Sequence, residues 1–339
     1  MLHTQPTKEH RSEGTNPPDA VGGCFDTPPT KEHRPEGTNP PDAVGGCFDT
    51  PPKPLHFRSN PIYPVVMFLT PYTQLEWAYQ LHYHLCFRTF RRKEFFATDS
   101  SSLTSTLNQL YDIYGYHGLE LKVRASDVQL LLSLRPEHAI SDVMKKLKGA
   151  SSTALCKQLE IPAPLWARGY LARTSGKVRL SDVRSYLDKQ AKHHGYERRV
   201  SPPVFKFRHP RPVSLSVAHA FFDLNYHVVL STRFRQCIFD SKVGEALVNY
   251  WLKVADSREF ALDRATILPD HVHLLVRTTP KMSIEKCALL LMNNGQYFIG
   301  RHWSPRLAHA GINQLWQASA YAGSCGELPT ALLKSFLAS

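Results

Sequence analysis

No two cysteines in this chain are spaced C-x-x-C, and the seven present (Cys24, Cys47, Cys86, Cys156, Cys237, Cys287 and Cys325) are an odd number. That spacing speaks against a zinc site and against a disulfide framework, so a reducing cytosol is the expected compartment. Long apolar runs are missing as well. The longest near the N-terminus, Ile62 to Leu69, is broken by Pro64 and falls well short of the roughly 20 residues that cross a bilayer. No signal peptide or membrane span is expected. Acidic residues are in deficit, 29 Asp and Glu against 41 Lys and Arg, and the net charge of +12 favours a polyanionic partner through phosphate contacts and counterion release. What is present is sufficient apolar content, 42% of 339 residues, to bury the cores of two ordinary domains.

The segment Pro6 to Pro28, PTKEHRSEGTNPPDAVGGCFDTP, repeats at once as Pro29 to Pro51 with Ser12 replaced by Pro35. A structural repeat preserves a buried pattern while its surface drifts; this one preserves everything and has almost nothing to bury. It reads as a recent in-frame duplication, residues 1–70 are expected to be disordered, and the folded protein is expected to start near Met67.

From Trp77 onward, alternating apolar runs interleave with helical patterns. Strands are expected over Tyr79 to Thr89, in the region Leu119 to Leu134, and over Trp166 to Arg173. Helices are expected over Ser101 to Tyr114, around Ile140 to Leu147, and over Leu180 to His194. A basic, proline-rich linker at 198–213 follows, and the order then begins again. LHYHLCFRTFRRKEFF around His84 matches LNYHVVLSTRFRQCIF around His227. SDVQLLLSLRPEHAI aligns without a gap on DHVHLLVRTTPKMSI, setting Asp127 against His271, Gln129 against His273 and Pro136 against Pro280. LWARGYLARTSG aligns on LWQASAYAGSCG, so that Gly176 matches Gly326 and Tyr186 matches Phe336. The chain therefore contains two paralogous halves, 71–197 and 214–339.

In His271-Val272-His273 the alternation of a strand sends both imidazoles to one face and Val272 to the other. Two imidazoles at that spacing suit a divalent metal with positions left for a third ligand and for phosphate oxygens. The runs ILPDHVHLLV and YHVVLSTRFR, with LKGASS, WARGYLARTSG and SYLDKQ from the first half, resemble the single-tyrosine HUH transposases of the insertion-sequence 200/605 type over Tyr79 to His194 and Ala220 to Ser339. The resemblance implies an α+β fold of two tandem ferredoxin-like units, each an antiparallel sheet with helices on one face and the histidine strand central. It also implies Mg2+ or Mn2+ at His271 and His273, Tyr186 as the nucleophile that attacks a DNA phosphate, and Gln190 as a further metal ligand. Residues at i and i+4 share a helix face, so Tyr186 and Gln190 can address the same phosphate.

The halves depart from that pattern in complementary ways. The first has Tyr186 and Gln190 but carries Asp127 and Gln129 in the histidine positions. The second has His271 and His273 but Phe336 in the tyrosine position, and it stops before any match to Gln190. If the halves pair as an intramolecular pseudo-dimer, the four residues form one composite site, and Asp127, Gln129 and Phe336 form a vestigial one. The expected partner is single-stranded DNA, at the hairpin ends of a mobile element, bound in the cytoplasm with nucleoid association. Arg88, Arg91, Arg92, Lys145, Lys146, Lys148 and Arg235 are candidate DNA contacts. His84 and His227 are read as strand histidines bonded to a neighbour, and Tyr114, Tyr116 and Trp166 either as core or as base-stacking rings. Two further readings stay open: a domesticated hairpin-binding protein without cleavage, and an inactive product of a decaying element.

Overall fold

The computed structural model describes residues 70–176, 179–189, 202–211 and 214–326. The N-terminal repeat, Gln190 and Phe336 lie outside them. The first half runs β1 (Glu76–Gln80), β2 (His82–Arg88), α1 (Ser101–Tyr114), β3 (His117–Val123), β4 (Asp127–Ser133), α2 (Ile140–Gln158), β5 (Tyr170–Ser175) and α3 (Leu180–Lys189). The second runs β6 (Phe205–Arg208), β7 (Ala220–Thr232), α4 (Ser241–Asp256), β8 (Phe260–Ile267), β9 (His271–Thr278), α5 (Ile284–His302), α6 (Ser304–His309) and β10 (Trp316–Cys325).

Local chemistry fixes these elements. Helix α4 starts where the Asp240 carboxylate accepts from Val243 N at 2.8 Å, and it buries Val243, Leu247, Trp251 and Ala255 at helical spacing. Helix α5 is capped in the same way by Ser283, whose hydroxyl accepts from Lys286 N. Helix α1 ends at Gly115 in the left-handed conformation. Strand β6 departs from the expected linker: Phe205 and Phe207 alternate with Lys206 and Arg208, and the segment adds an edge strand antiparallel to β8.

Within each half the strands are antiparallel, β3-β4-β2-β5 and β8-β9-β7-β10. The halves then join into one ten-stranded sheet. Strand β1 pairs parallel with β10, and the start of β7 pairs parallel with β5. The sheet is therefore mixed rather than wholly antiparallel, because β5 and β10 would otherwise present unpaired edges at the seam.

The seam is reciprocal. Trp77 opposes Ala320 as Ala220 opposes Tyr170, and Gln80 opposes Gly323 as Asp223 opposes Arg173. Ser141 N donates to Pro280 O while Glu285 N donates to Pro136 O. The Ser324 hydroxyl accepts from His82 N as the Thr174 hydroxyl accepts from Asn225 N. Tyr83 and Tyr226, both buried, face each other with ring centroids 6.3 Å apart. Such i-to-j and j-to-i contacts are what a two-fold relation generates.

Two glycines permit the close approach. A Cβ on Gly176 would stand 2.2 Å from the Ser324 carbonyl oxygen, and one on Gly326 would stand 2.6 Å from that of Thr174. Both obstacles are backbone. Gly176→Ala is expected to destabilise the chain by at least about 1–3 kcal/mol, the usual range for overpacking. A urea midpoint equal to that of the unsubstituted protein would contradict this account of the seam.

Candidate active site

Strand β9 divides its side chains between two layers. Val272, Leu274 and Val276 join the main core beneath α4 and α5, whereas Leu275, and with it His271 and His273, face the other way. On that second face Val183 and Leu187 of α3 pack with Leu275 and Cys325. Helices therefore cover both faces of the sheet here, not the single face expected, and α3 of the first half lies on strands of the second.

Polar groups fix the docking of α3. Arg184 places Nε and Nη2 on one Asp263 oxygen at 3.0 and 2.9 Å, and Arg264 Nη1 holds both Asp188 oxygens at 2.7 and 2.9 Å. The Thr266 hydroxyl donates to Leu187 O at 3.1 Å, and Lys206 Nζ donates to Asp188 O at 2.6 Å. The Tyr186 ring then lies 6.0 Å from that of His273 and 6.2 Å from that of His227, edge-on to both.

His271 is held at Nδ1 by Asp270 at 2.6 Å, and Asp270 also accepts from Arg235 Nε at 2.9 Å. Burial raises the Asp270 carboxyl, but the His271 bond and the charges of His271 and Arg235 outweigh it and hold the group below its ordinary value. An ionised carboxylate only accepts, so the His271 Nδ1 carries the proton. His273 meets His227 through Nδ1 and Nε2 at 3.0 Å, with the rings 14° from coplanar. Burial drives His227 down to about 4, so it is neutral at pH 7. Each of His271 and His273 is thus fixed by a bond at Nδ1, so the ring nitrogen of each that could take a metal is Nε2.

The matching face of the first half is different. Gln129 Nε2 donates to Asp127 Oδ1 at 3.2 Å. Burial lowers His84, with a Gln129 bond acting against it. Arg173 stands opposite His84, where Gly323 stands opposite His227, and it pairs with Asp223 at 3.0 Å. Among the described residues no three His, Cys, Asp or Glu side chains cluster as a metal site.

The candidate DNA contacts separate. Arg235 is tied to the histidine strand through Asp270. Arg91 and Arg92 occupy the equivalent turn of the first half, and Arg88 lies opposite Asp127. Lys145 and Lys146 lie on α2, with the Lys146 ammonium 5.1 Å above the Tyr114 ring. Helix α2 is on the far side of the sheet from Asp127: its Ser151 bonds Trp166, which packs on Phe87. Trp166 and Tyr116 are core.

Lys148 is spent on structure, since its ammonium donates to the carbonyls of Ala167, Arg168 and Gly169 at 2.6, 3.1 and 3.1 Å, and burial pulls it down to about 8. It is not available to a phosphate. Lys148→Ala is expected to cost roughly 1–3 kcal/mol by orphaning those carbonyls. The salt dependence of any nucleic-acid binding should stay unchanged, and a shallower slope would restore Lys148 as a phosphate contact.

Sequence reasoning overlooked Asp270 and the two carboxylates that dock α3. Asp270 had a signal, its place directly before His271 in D-H-V-H; Asp188 and Asp263 had none, because their partners lie in the other half.

A paired-histidine strand with a tyrosine helix laid across it, in a two-fold α+β sheet, defines a tandem transposase-like fold. The family described as IS200-like transposases matches residues 77–190 and again 220–339, and the chain belongs to that family. It is 28% identical over 128 residues to the transposase for insertion sequence element IS200 of Salmonella typhimurium, covering 36% of this chain and 84% of the relative. It is 29% identical over 123 residues to the ISDra2 transposase TnpA of Deinococcus radiodurans, covering 34% and 86%. A solved structure described as a putative transposase from Deinococcus radiodurans aligns at 28% identity over 33% of this chain and 92% of its own, with a TM-score of 0.27. Among the described residues no helix is long and apolar enough to cross a membrane.

Proposed function

We propose that this chain is a metal-dependent transposase that nicks and rejoins single-stranded DNA at one composite site. Tyr186 and Gln190 come from the first half, and His271 and His273 from the second. The observation that carries the reading is the 6.0 Å separation of the Tyr186 and His273 rings, residues that the sequence places in opposite halves. The reciprocal seam supports an intramolecular pseudo-dimer, in which α3 serves the other half's histidine strand. Family membership supports transposition chemistry, and the net charge of +12 supports a DNA partner.

The donor set fits a divalent cation. His271 and His273 share a face and each is oriented through Nδ1, which suits coordination through Nε2, and Gln190, which lies outside the described residues, would be the third ligand that the family resemblance implies. Bound there, Mg2+ or Mn2+ would polarise the phosphate and favour the phenolate of a tyrosine whose ordinary pKa is about 10. Tyr186 Oη forms the new bond to phosphorus as the bond from phosphorus to the 3′-oxygen breaks. The phenol proton is lost, the departing oxygen takes one up, and the products are a 5′-phosphotyrosine and a 3′-hydroxyl. Attack by another 3′-hydroxyl reverses the step and rejoins the strand without a nucleotide cofactor. Asp127, Gln129 and Phe336 take no part, and the DNA is the hairpin end of a mobile element.

The test is incubation of the protein and Mn2+ with labelled single-stranded hairpin DNA from the ends of its own element, resolved on a denaturing gel. A covalent protein–DNA adduct is expected. Tight binding without an adduct would replace this reading with a hairpin-binding protein.

A further inference from the structure

Both halves end their central strand in the same uncommon turn. After Thr89 the residues Arg91 and Arg92 have φ of 55° and 56°, and after Thr232 the residues Phe234 and Arg235 have φ of 54° and 55°. None of these is glycine, and side chains in the left-handed region carry a steric cost that persists only where the surroundings impose it. The threonines supply that constraint. The Thr89 hydroxyl donates to Lys93 O and Ser126 O at 2.7 and 3.3 Å, and the Thr232 hydroxyl donates to Gln236 O and Asp270 O at 2.7 and 2.9 Å.

The backbones match but the side chains do not. At the first left-handed position the first half carries Arg91, and the half with the histidine pair carries Phe234. Phe234 is 67% exposed, with the Arg233 guanidinium 5.1 Å over its ring. The next residue, Arg235, bonds Asp270, whose other oxygen holds His271. An aromatic ring is thus held out in water by a strained turn, beside the Arg233 guanidinium and next in sequence to the arginine that bonds the carboxylate holding His271.

We infer that Phe234 is a stacking platform for an unpaired nucleobase of the strand that enters the His271–His273 site. Bases present π-faces to aromatic rings without regard to sequence, and flanking arginines favour the phosphates on either side. The flanking charge selects a nucleic acid over an apolar protein surface. This inference rests on the proposed action on single-stranded DNA.

The experiment measures binding of the full chain to a labelled hairpin with a single-stranded flank, by fluorescence anisotropy, together with a series of flanks each carrying one abasic position. Phe234→Ala is expected to weaken binding roughly 5- to 100-fold, the range of one stacked base, and Phe234→Tyr to stay within about twofold. One abasic position should weaken the unsubstituted protein by a similar factor and leave Phe234→Ala no weaker, since partners in one contact are not additive. An affinity of Phe234→Ala within twofold of the original, or abasic losses that multiply in full, overturns the platform. Phe234→Gly separates recognition from folding: it should raise the Tm by relieving the left-handed residue while binding as weakly as Phe234→Ala. A lowered Tm would make the ring a packing element and overturn the inference. If the unsubstituted chain binds no single-stranded DNA, the proposed function fails and the platform with it, whereas a platform failure alone leaves binding by the unsubstituted chain intact.

Discussion

Tyr186→Phe is expected to abolish the covalent protein–DNA adduct, by on the order of 10⁴-fold or more, while changing DNA affinity by less than about 0.5 kcal/mol. The substitution removes only the hydroxyl. The ring keeps its edge-on packing against His227 and His273, and α3 keeps Val183 and Leu187 against Leu275. Fold and binding should therefore survive while the attacking oxygen is gone. An adduct that persists in this variant would remove Tyr186 from the reaction.

His273→Ala carries the second largest expected effect, and it acts twice. It removes one imidazole of the pair, so Mn2+-dependent cleavage should fall by roughly 10²-fold or more, beyond the range seen when only a residue supporting a ligand is lost. It also strips His227 Nε2 of its partner inside the protein, at a cost of about 1–3 kcal/mol in stability. His271→Ala should lose cleavage with a smaller loss of stability, because His271 bonds Asp270 at a less buried position. Gln129→Ala, at the matching place in the first half, should leave cleavage unchanged. Equal losses from His273→Ala and Gln129→Ala would mean that both faces work, and undiminished cleavage in His273→Ala would remove the metal role.

Much of this arrangement was legible in the residues. Alternation alone put His271 and His273 on one face opposite Val272, and the ungapped alignment of the halves set Pro136 against Pro280, whose carbonyls accept equivalent bonds at the seam. Helices α1 and α3 begin where their apolar spacing begins. The strand expected over Tyr79 to Thr89 is divided at Leu81 into β1 and β2, because its two parts pair with strands of different halves. That parallel seam was not legible: a strand's sequence records which face is buried, not which neighbour lies along its edge. Nor was the face that α3 covers, since Val183 and Leu187 mark an apolar stripe without naming its target. Lys148 shows the same limit for charge, because a lysine that closes a loop and one that meets a phosphate look alike along a helix.

The composite site is tested most directly by mixing two inactive variants. Tyr186→Phe and His273→Ala are incubated singly and together with labelled hairpin DNA and Mn2+, beside the unsubstituted protein, and resolved on a denaturing gel. The account predicts an adduct at Tyr186 for the unsubstituted chain and none for either variant or their mixture, because tyrosine and histidines meet within one chain. An adduct restored in the mixture would contradict it, since the working site would then be assembled between two chains.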